Sequence, residues 1–326
     1  MKKQVAKFLL NTLSLSFVLL SPMVSHAQTY PDKNIKILQG FAPGGNADAI
    51  ARAVGSEISK GLGQAVVVEA QAGAGGTIAA GTVSKAKPDG YTLLLATGGH
   101  AVAGALYNNL SYKTVQDFEM ISTITYFPFL MVVSSEGKIA NLPALMAQAK
   151  ANPGSIAYGT AGIGSTHHLA GELFASMAKV DLLHVPYRGD AASITALLAG
   201  DVPFIIAPPT AVLSNIKAGK LKAIAVTGPQ RWAGMPEVPT VAEQGVAGYD
   251  VRSWAGLMAP AGTPRPIIDR LNAEVLKSLQ LPNIKSRLEE MGGDARGSTP
   301  EEMKAMVASE TQKWTQVVNS AKIPKQ

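Results

Sequence analysis

The sequence contains no cysteine, and this absence removes several chemistries at once. Disulfide bridges, thiolate nucleophiles and cysteine-ligated zinc sites are all excluded. The stability of the fold must therefore come from core burial. A chain of 326 residues is long enough to supply such a core in one or two domains.

Long apolar runs are also lacking after the N-terminal region. The run at residues 8–20 covers only 13 residues, whereas a membrane-spanning helix needs about 20. It follows the basic start MKKQVAK and precedes Ser25-His26-Ala27, a small-x-small end. This order predicts a signal peptide over residues 1–27, cleaved after Ala27, and an exported protein.

An excess of positive charge is lacking once that segment is removed. Without Lys2, Lys3 and Lys7, 26 basic residues face 23 acidic ones, and the formal charge falls from +6 to +3. No run of Lys or Arg is present either, so the composition argues against a nucleic-acid partner.

Short apolar runs alternate with longer helical patterns along the chain, and this order predicts an α/β fold with mostly parallel sheets. The predicted strands are 35–40, 65–70, 91–97, 129–134, 155–160, 182–187, 202–208 and 221–228. The predicted helices are 46–60, 77–86, 141–151, 166–178, 191–199, 210–218, 264–280, 283–291 and 299–319. No Pro/Gly/Ser linker divides the chain, which favours two lobes that the chain crosses more than once. The runs FLMVVSS and LKAIAVTG are the natural crossing strands.

Three glycine-rich turns follow predicted strands and precede helical sequence. They are APGGNAD (42–48), TGGHA (97–101) and TAGIGSTHH (160–168). Free N–H groups at a helix N-terminus attract an anion, and glycine lets a ligand approach the backbone. Hydroxyl groups at Thr97, Ser165 and Thr166 suit a carboxylate. The alternative is that each glycine only permits a tight turn.

Other site types fit less well. GFAPGG is not G-x-G-x-x-G and no GK[ST] follows, so both nucleotide fingerprints fail. GAGG at 73–76 predicts only a turn and a helix start. His167 and His168 point about 100° apart on a helix, so they cannot share one metal as an i, i+4 pair would. Ser165 with either histidine suggests an exported hydrolase, but the G-x-S-x-G elbow is missing. We expect no cofactor and no metal.

Two further segments leave their roles open. In HVPYRGDAA (184–192), Arg188 either pairs with a ligand carboxylate or is a solvated surface charge. Asp190 either caps a helix or accepts a hydrogen bond from a ligand. His184 and Trp254 are expected to pack in the core.

The sequence resembles the Bug-type receptors, the TctC-like extracytoplasmic solute-binding proteins of tripartite tricarboxylate transporters. The resemblance rests on YPDKNIKILQGFAPGGNADAIAR, LGQAVVVEAQAGAGGTIAAGTVSKAKPDGYTLLLAT, YGTAGIGSTHHLAGELF, HVPYRGDAASITALLAGDVPF, IKAGKLKAIAVTG, VPTVAEQG, WAGLMAPAGTP and KWTQVV. These segments run in order through essentially the whole chain after residue 27.

The resemblance implies a two-lobed periplasmic-binding-protein fold of type II, a Venus flytrap that closes on a ligand. Lobe 1 would comprise 28–127 with 228–326, lobe 2 would comprise 128–227, and the ligand cleft would lie between them. The protein would be a periplasmic, monomeric receptor and not an enzyme. It would bind a small mono- or dicarboxylate, aliphatic or aromatic, for membrane permease subunits, or alternatively serve a sensor.

The resemblance also implies which residues bind the ligand. They are Phe41, Ala42, Pro43, Gly44, Gly45, Asp48, Thr97, Gly98, Gly162, Ser165, Thr166, His168, Tyr187, Asp190, Ala207 and Pro208. The chain departs from the family where EAQAGAGG replaces the usual ENRPGAGG and LQGFAPGG replaces IVPFAPGG, which places Gln39 and Gly40 below the first loop. These departures affect ligand specificity more than the fold.

Overall fold

The computed structural model describes residues 30–326, and the predicted signal peptide lies outside them. Among the helices of this described part, none is long and apolar enough to cross a membrane.

A six-stranded sheet forms the first lobe. Its strands are β1 (Ile35–Gln39), β2 (Val66–Ala70), β3 (Thr92–Thr97), β4 (Phe118–Pro128), β10 (Arg252–Pro260) and β11 (Asp294–Ala295), in the spatial order β11-β4-β10-β3-β1-β2. β1 pairs in parallel with β2 and β3, and it aligns Ile37 with Val68 and Leu93. Ile37 and Leu93 are each only 1% exposed, so the apolar run of β1 is buried as the sequence predicts.

A five-stranded sheet forms the second lobe. Its strands are β5 (Leu130–Ser134), β6 (Ile156–Thr160), β7 (Leu182–Pro186), β8 (Phe204–Ala207) and β9 (Leu221–Val226), in the order β7-β6-β8-β5-β9. The side chains of Val132, Ile205 and Val226 are completely buried in its core. The predicted lobe boundaries remain a prediction.

The chain passes between the two sheets at a hydrogen-bonded junction. Phe129 lies between β4 and β5, and its N–H donates to Thr227 Oγ1 at 2.8 Å. The same hydroxyl donates to the Val251 carbonyl at 2.7 Å, just before β10. Thr227 is fully buried, so one hydroxyl ties both crossing segments together.

Ten helices of the described residues surround the sheets. They are α1 (Asn46–Leu62), α2 (Thr77–Ser84), α3 (Gly98–Leu106), α4 (Leu142–Ala151), α5 (Thr166–Ala178), α6 (Asp190–Ala199), α7 (Pro209–Lys217), α8 (Arg265–Ser278), α9 (Pro282–Glu290) and α10 (Pro300–Ser320). In α1, Ile50, Val54 and Ile58 recur every four residues and are each 1% exposed, which gives the helix one core-facing stripe.

The α/β fold with two lobes is confirmed, but the sheets are mixed, not mostly parallel. The β1–β2, β1–β3, β6–β7 and β6–β8 pairs are parallel, whereas β4, β5 and β10 pair with their neighbours antiparallel. The physical reason lies in the crossings, because a strand that enters a sheet from the other lobe runs against its neighbours. Strands β4, β10 and β11 and helix α3 were not among the predicted elements.

Helix α10 begins with a capping box, and this yields a first testable prediction. Thr299 Oγ1 accepts from the Glu302 N–H at 3.1 Å, and Glu302 Oε2 accepts from the Thr299 N–H at 2.9 Å. We expect Thr299→Ala to lower the free energy of unfolding by about 1 kcal/mol, because the Glu302 N–H loses its side-chain acceptor. Urea unfolding at pH 7 would measure the loss.

The matched control is Thr195→Ala. Thr195 is exposed within α6, and its hydroxyl only returns to the Ala191 carbonyl of the same helix. We expect little change there, since alanine is the better helix former. Equal losses in both variants would contradict the capping role of Thr299.

Candidate functional site

The carboxyl ends of five strands lead directly into helices at the junction of the lobes. β1 and β3 of the first lobe precede α1 and α3, while β6, β7 and β8 of the second lobe precede α5, α6 and α7. The predicted site residues lie on these five connections or in the first turns of the helices. Pro43 and Gly44 are exposed, whereas Ala207 and Pro208 are buried before α7.

Loops of the two lobes approach each other closely across the cleft. A Cβ on Gly45 would lie 3.7 Å from Asp190 Oδ2, and a Cβ on Gly189 would lie 3.4 Å from the Ala42 methyl group. A Cβ on Gly98 would lie 2.7 Å from Thr166 Oγ1. Residues predicted from separate segments are thus brought together in this structure.

A hydrogen bond that the sequence did not indicate also joins the lobes. Thr210 Oγ1, in the first turn of α7, donates to Asn46 Oδ1 at the start of α1 at 2.8 Å. The two residues are 164 positions apart, and neither was among the predicted site residues. Only the three-dimensional pairing of the helix N-termini reveals this contact.

The GAGG segment at 73–76, which predicted only a turn and a helix start, is also part of the cleft. A short 3-10 turn covers Ala74–Gly76, and α2 follows it. A Cβ on Gly75 would lie 2.7 Å from the Gly164 carbonyl carbon and 2.8 Å from the Ile163 oxygen. Gly99 also lies close to this segment, since a Cβ added there would lie 3.1 Å from the Gly75 oxygen.

The first glycine loop is held from below by Gln39. This side chain is completely buried, and its Oε1 accepts from the Phe41 N–H at 2.8 Å. Gly40 is required by close packing, because a Cβ there would lie 2.3 Å from the Gly76 Cα. Gly40 therefore permits the 73–76 segment to pack against the loop.

The Asp48 side chain binds the backbone of the same loop. Its Oδ2 accepts from the Gly44 N–H at 3.2 Å and from Arg52 Nε at 2.9 Å. Burial would raise the pKa of Asp48, but the hydrogen bonds from Arg52 and Gly44 lower it below the ordinary value of 3.8. Asp48 is therefore a carboxylate at pH 7 with a local counter-ion.

The glycine loop at 160–168 is fixed by its own cap. Ser165 Oγ donates to the Gly162 carbonyl at 2.6 Å and accepts from the His168 N–H at 3.3 Å. The His168 ring lies under the loop, with the Gly164 N–H 3.4 Å from its Nδ1. Ser165 and His168 therefore shape the loop from within.

A polar cluster supports that loop from the interior of the second lobe. The His168 and His184 rings stack with centroids 4.1 Å apart, and His184 Nε2 lies 2.7 Å from Thr160 Oγ1. The Tyr158 hydroxyl donates to Glu172 Oε1 at 2.7 Å. Burial lowers the pKa of His168 to about 4 and that of His184 to about 3, so both rings are neutral at pH 7.

His167 and Asp190 adjoin each other at the cleft. His167 Nε2 lies 3.3 Å from Asp190 Oδ1, although the angle does not meet hydrogen-bond geometry within the described structure. The His167 ring packs on Phe129, with centroids 4.3 Å apart. These contacts join the cleft to the junction between the sheets.

The chemistry of this arrangement suits an anion. Helix N-termini from both lobes bring N–H groups and the positive ends of their dipoles to one place. Within residues 30–326, no group of three His, Cys, Asp or Glu side chains is placed to hold a metal ion.

The profile described as "Tripartite tricarboxylate transporter family receptor" matches residues 50–323. The chain belongs to this receptor family. Two similar solved structures share its fold. The periplasmic binding protein BugD is 33% identical, with a TM-score of 0.87, covering 91% of this chain and 100% of its own. The R. palustris protein solved with adipate has the same identity, coverage and TM-score.

A third receptor structure, MatC from Rhodopseudomonas palustris with bound malate, is 32% identical with a TM-score of 0.84. The match covers 89% of this chain and 100% of that one. The resemblance to Bug-type, TctC-like receptors is therefore confirmed.

The receptor family is one of solute-binding proteins, not enzymes, so the hydrolase alternative is wrong. The geometry gives a physical reason, because the Ser165 hydroxyl donates to the Gly162 carbonyl rather than to an imidazole nitrogen.

The structure also shows whether Trp254 and Arg188 are buried or exposed. Trp254 is 1% exposed, as expected for a core residue, whereas Arg188 is exposed beside the cleft.

Proposed function

We propose that this receptor works in the periplasm and holds the carboxylate of a small organic acid between its lobes. The observation that supports this most directly is the meeting of Gly45, before α1, with Asp190, at the start of α6. Gly45 immediately precedes α1 and Asp190 begins α6, so the N-termini of two helices meet at this point. The adipate and malate bound by the two R. palustris relatives favour a carboxylate.

The free energies of hydrogen bonds indicate that neutral donors are sufficient to bind a carboxylate. A hydrogen bond to a charged group contributes about 1.5–3 kcal/mol. Three such bonds approach the roughly 8 kcal/mol that corresponds to a micromolar Kd. A ligand held by neutral donors is also readily released, as transport requires.

The proposal assigns roles to the predicted residues. The backbone of 41–45 and 162–166 would surround the carboxylate, with Thr97, Gly98, Tyr187, Ala207 and Pro208 closing the sides. Asp48 and His168 would fix the two loops, and Asp190 would border the ligand. The released ligand would pass to the membrane subunits of a tripartite transporter after export and cleavage at Ala27.

Gly45 provides the test of the first loop. Its φ is −80°, and the nearest atoms to a Cβ there are Ala42 O at 3.5 Å and Asp190 Oδ2 at 3.7 Å. We expect Gly45→Ala to fold normally, whereas Gly45→Leu should weaken carboxylate binding at least tenfold because the longer side chain enters the cleft. Isothermal titration with the best ligand from a thermal-shift screen of carboxylates would measure this.

The screen itself tests the proposed function. A saturating ligand at 100 times its Kd adds about 2.7 kcal/mol and should raise Tm by roughly 5 °C. If no carboxylate raises Tm, the proposed function is wrong. If Gly45→Leu binds like the unmodified protein, the first loop does not hold the ligand.

A further inference from the structure

A cavity of about 640 Å³ opens from the two glycine loops toward solvent. Its walls come from both lobes, from residues 40–42, 72–75 and 78 on one side and 161–163 and 186–189 on the other. This volume lies within the range of roughly 300–1,000 Å³ that small-molecule pockets occupy. A molecule whose carboxylate meets the loops would place the rest of its body here.

The walls of this cavity are apolar. Phe41 and Ile78 come from the first lobe, and Ile163 and Tyr187 come from the second. The other lining residues are alanine, glycine and proline, except for Arg188, which is the one charged residue among the described residues that line the cavity. Arg188 is exposed, so its charge is solvated and does not make the interior polar.

Ile78 shows that the apolar surface continues to the rim. Its side chain is an exposed large hydrophobic residue, 52% accessible, in the first turn of α2. It lies over Gly73, where a Cβ would be 2.6 Å from Ile78 Cδ1. The isoleucine therefore holds a defined position at the cavity entrance.

A ligand body that carries several hydroxyl groups would lose water there and gain few partners, because Tyr187 and Arg188 are the only polar side chains among the described residues that line the cavity. An alkyl or aromatic body would instead remove apolar wall surface from water. Under the proposed function the loops at 42–48 and 160–168 would hold the carboxylate, and this cavity would then discriminate between ligand bodies.

We propose that the ligand of this receptor is a carboxylate with an alkyl or aromatic body, and that hydroxylated acids are rejected. The inference rests on the proposed function, and it specifies the class of ligand. Ile78 and Ile163 would be specificity-determining residues, because they contact the body and not the carboxylate.

Adipate and galactarate form a matched pair of probes, since they share one six-carbon dicarboxylate chain and differ by four hydroxyl groups. We expect titration calorimetry to give at least thirtyfold tighter binding for adipate. Benzoate would test an aromatic body with one carboxylate, and it should also bind more tightly than galactarate. Equal or tighter binding of galactarate would overturn the inference while leaving the proposed function intact.

Two variants test whether Ile78 is responsible for the preference for adipate over galactarate. Ile78→Asn should reduce the adipate-to-galactarate ratio at least fivefold, and its exposed position protects folding. Leu198→Asn is the matched control, since Leu198 is also exposed on a helix, 44% accessible, and lies outside the cavity. An unchanged ratio in Ile78→Asn, or an equal change in Leu198→Asn, would contradict the assignment. If none of the three acids binds while another carboxylate in the thermal-shift screen raises Tm, the inferred ligand body is wrong. If no carboxylate raises Tm, the failure lies with the proposed function.

Discussion

Gly75→Ala is expected to weaken adipate binding at least tenfold while the protein remains folded. In this structure the Gly75 backbone meets Gly164 of the other lobe, and a Cβ would lie 2.7 Å from a carbonyl carbon. Side chains do not tolerate contacts that short, and the atoms involved are backbone, so they cannot rotate away. The two lobes would have to separate, and the loops that we propose surround the carboxylate would separate with them.

A matched control isolates this effect from backbone strain. Gly75 has φ +64°, and Gly63 at the end of α1 has φ +67° with no atom within 4 Å of its Cβ position. Alanine at either site would have to adopt a left-handed backbone conformation, which costs about 1–2 kcal/mol. Only Gly75→Ala adds the contact between lobes.

Two measurements separate the variants. Urea unfolding should give similar losses for Gly75→Ala and Gly63→Ala, whereas calorimetry should show weaker adipate binding only for Gly75→Ala. Small-angle scattering with saturating adipate should give Gly75→Ala a larger radius of gyration than Gly63→Ala. Equal affinities would show that the contact does not control closure.

Elements with strong local signals could be predicted from the sequence. β1 is a short apolar run that starts at Ile35, and α10 begins at the Thr299 cap. Strand β10 could not be recognised this way, since Gly256 and Pro260 weaken its local preference for a strand. Its position between β3 and β4 decides its conformation, and that position depends on the whole first sheet.

Some features of the cleft could likewise be predicted from the sequence, whereas others could not. Glycine at 44 and 45 marks a loop from the sequence alone. The contacts Gly75–Gly164 and Asn46–Thr210 depend on how two lobes meet, and no local pattern encodes that distance. GAGG carried a signal, since consecutive glycines allow close backbone approach, but the sequence did not show which backbone approaches it.

Lowering the pH from 7 to 5.5 is expected to reduce the free energy of unfolding by roughly 4 kcal/mol. Burial lowers the pKa of His100 and His168 to about 4 and that of His184 to about 3, from an ordinary value of 6.5. The unfolded chain therefore binds protons at these three sites first as the pH falls. Their stabilisation is complete above pH 6.5 and is lost progressively toward pH 4.

Two carboxyl groups modify this profile in opposite directions. Burial raises the pKa of Glu172 above its ordinary 4.5, so protonation of Glu172 favours the folded state and partly offsets the loss. The pKa of Asp48 is lowered below 3.8, so its contribution is lost only in stronger acid. The three histidines therefore cause the loss of stability between pH 7 and 5.5, Glu172 opposes it, and Asp48 titrates below this interval.

His184→Gln tests the origin of the slope rather than the stability itself. The amide can keep a hydrogen bond to Thr160 Oγ1, which His184 Nε2 contacts at 2.7 Å, but it does not titrate. Urea unfolding at half-unit pH intervals should show that the variant loses about one third less stability over this interval than the unmodified protein. A free energy of unfolding that stays constant from pH 7 to 5.5 would contradict the neutral, buried state of the three rings, since each contributes about 1.4 kcal/mol per pH unit where it differs between states.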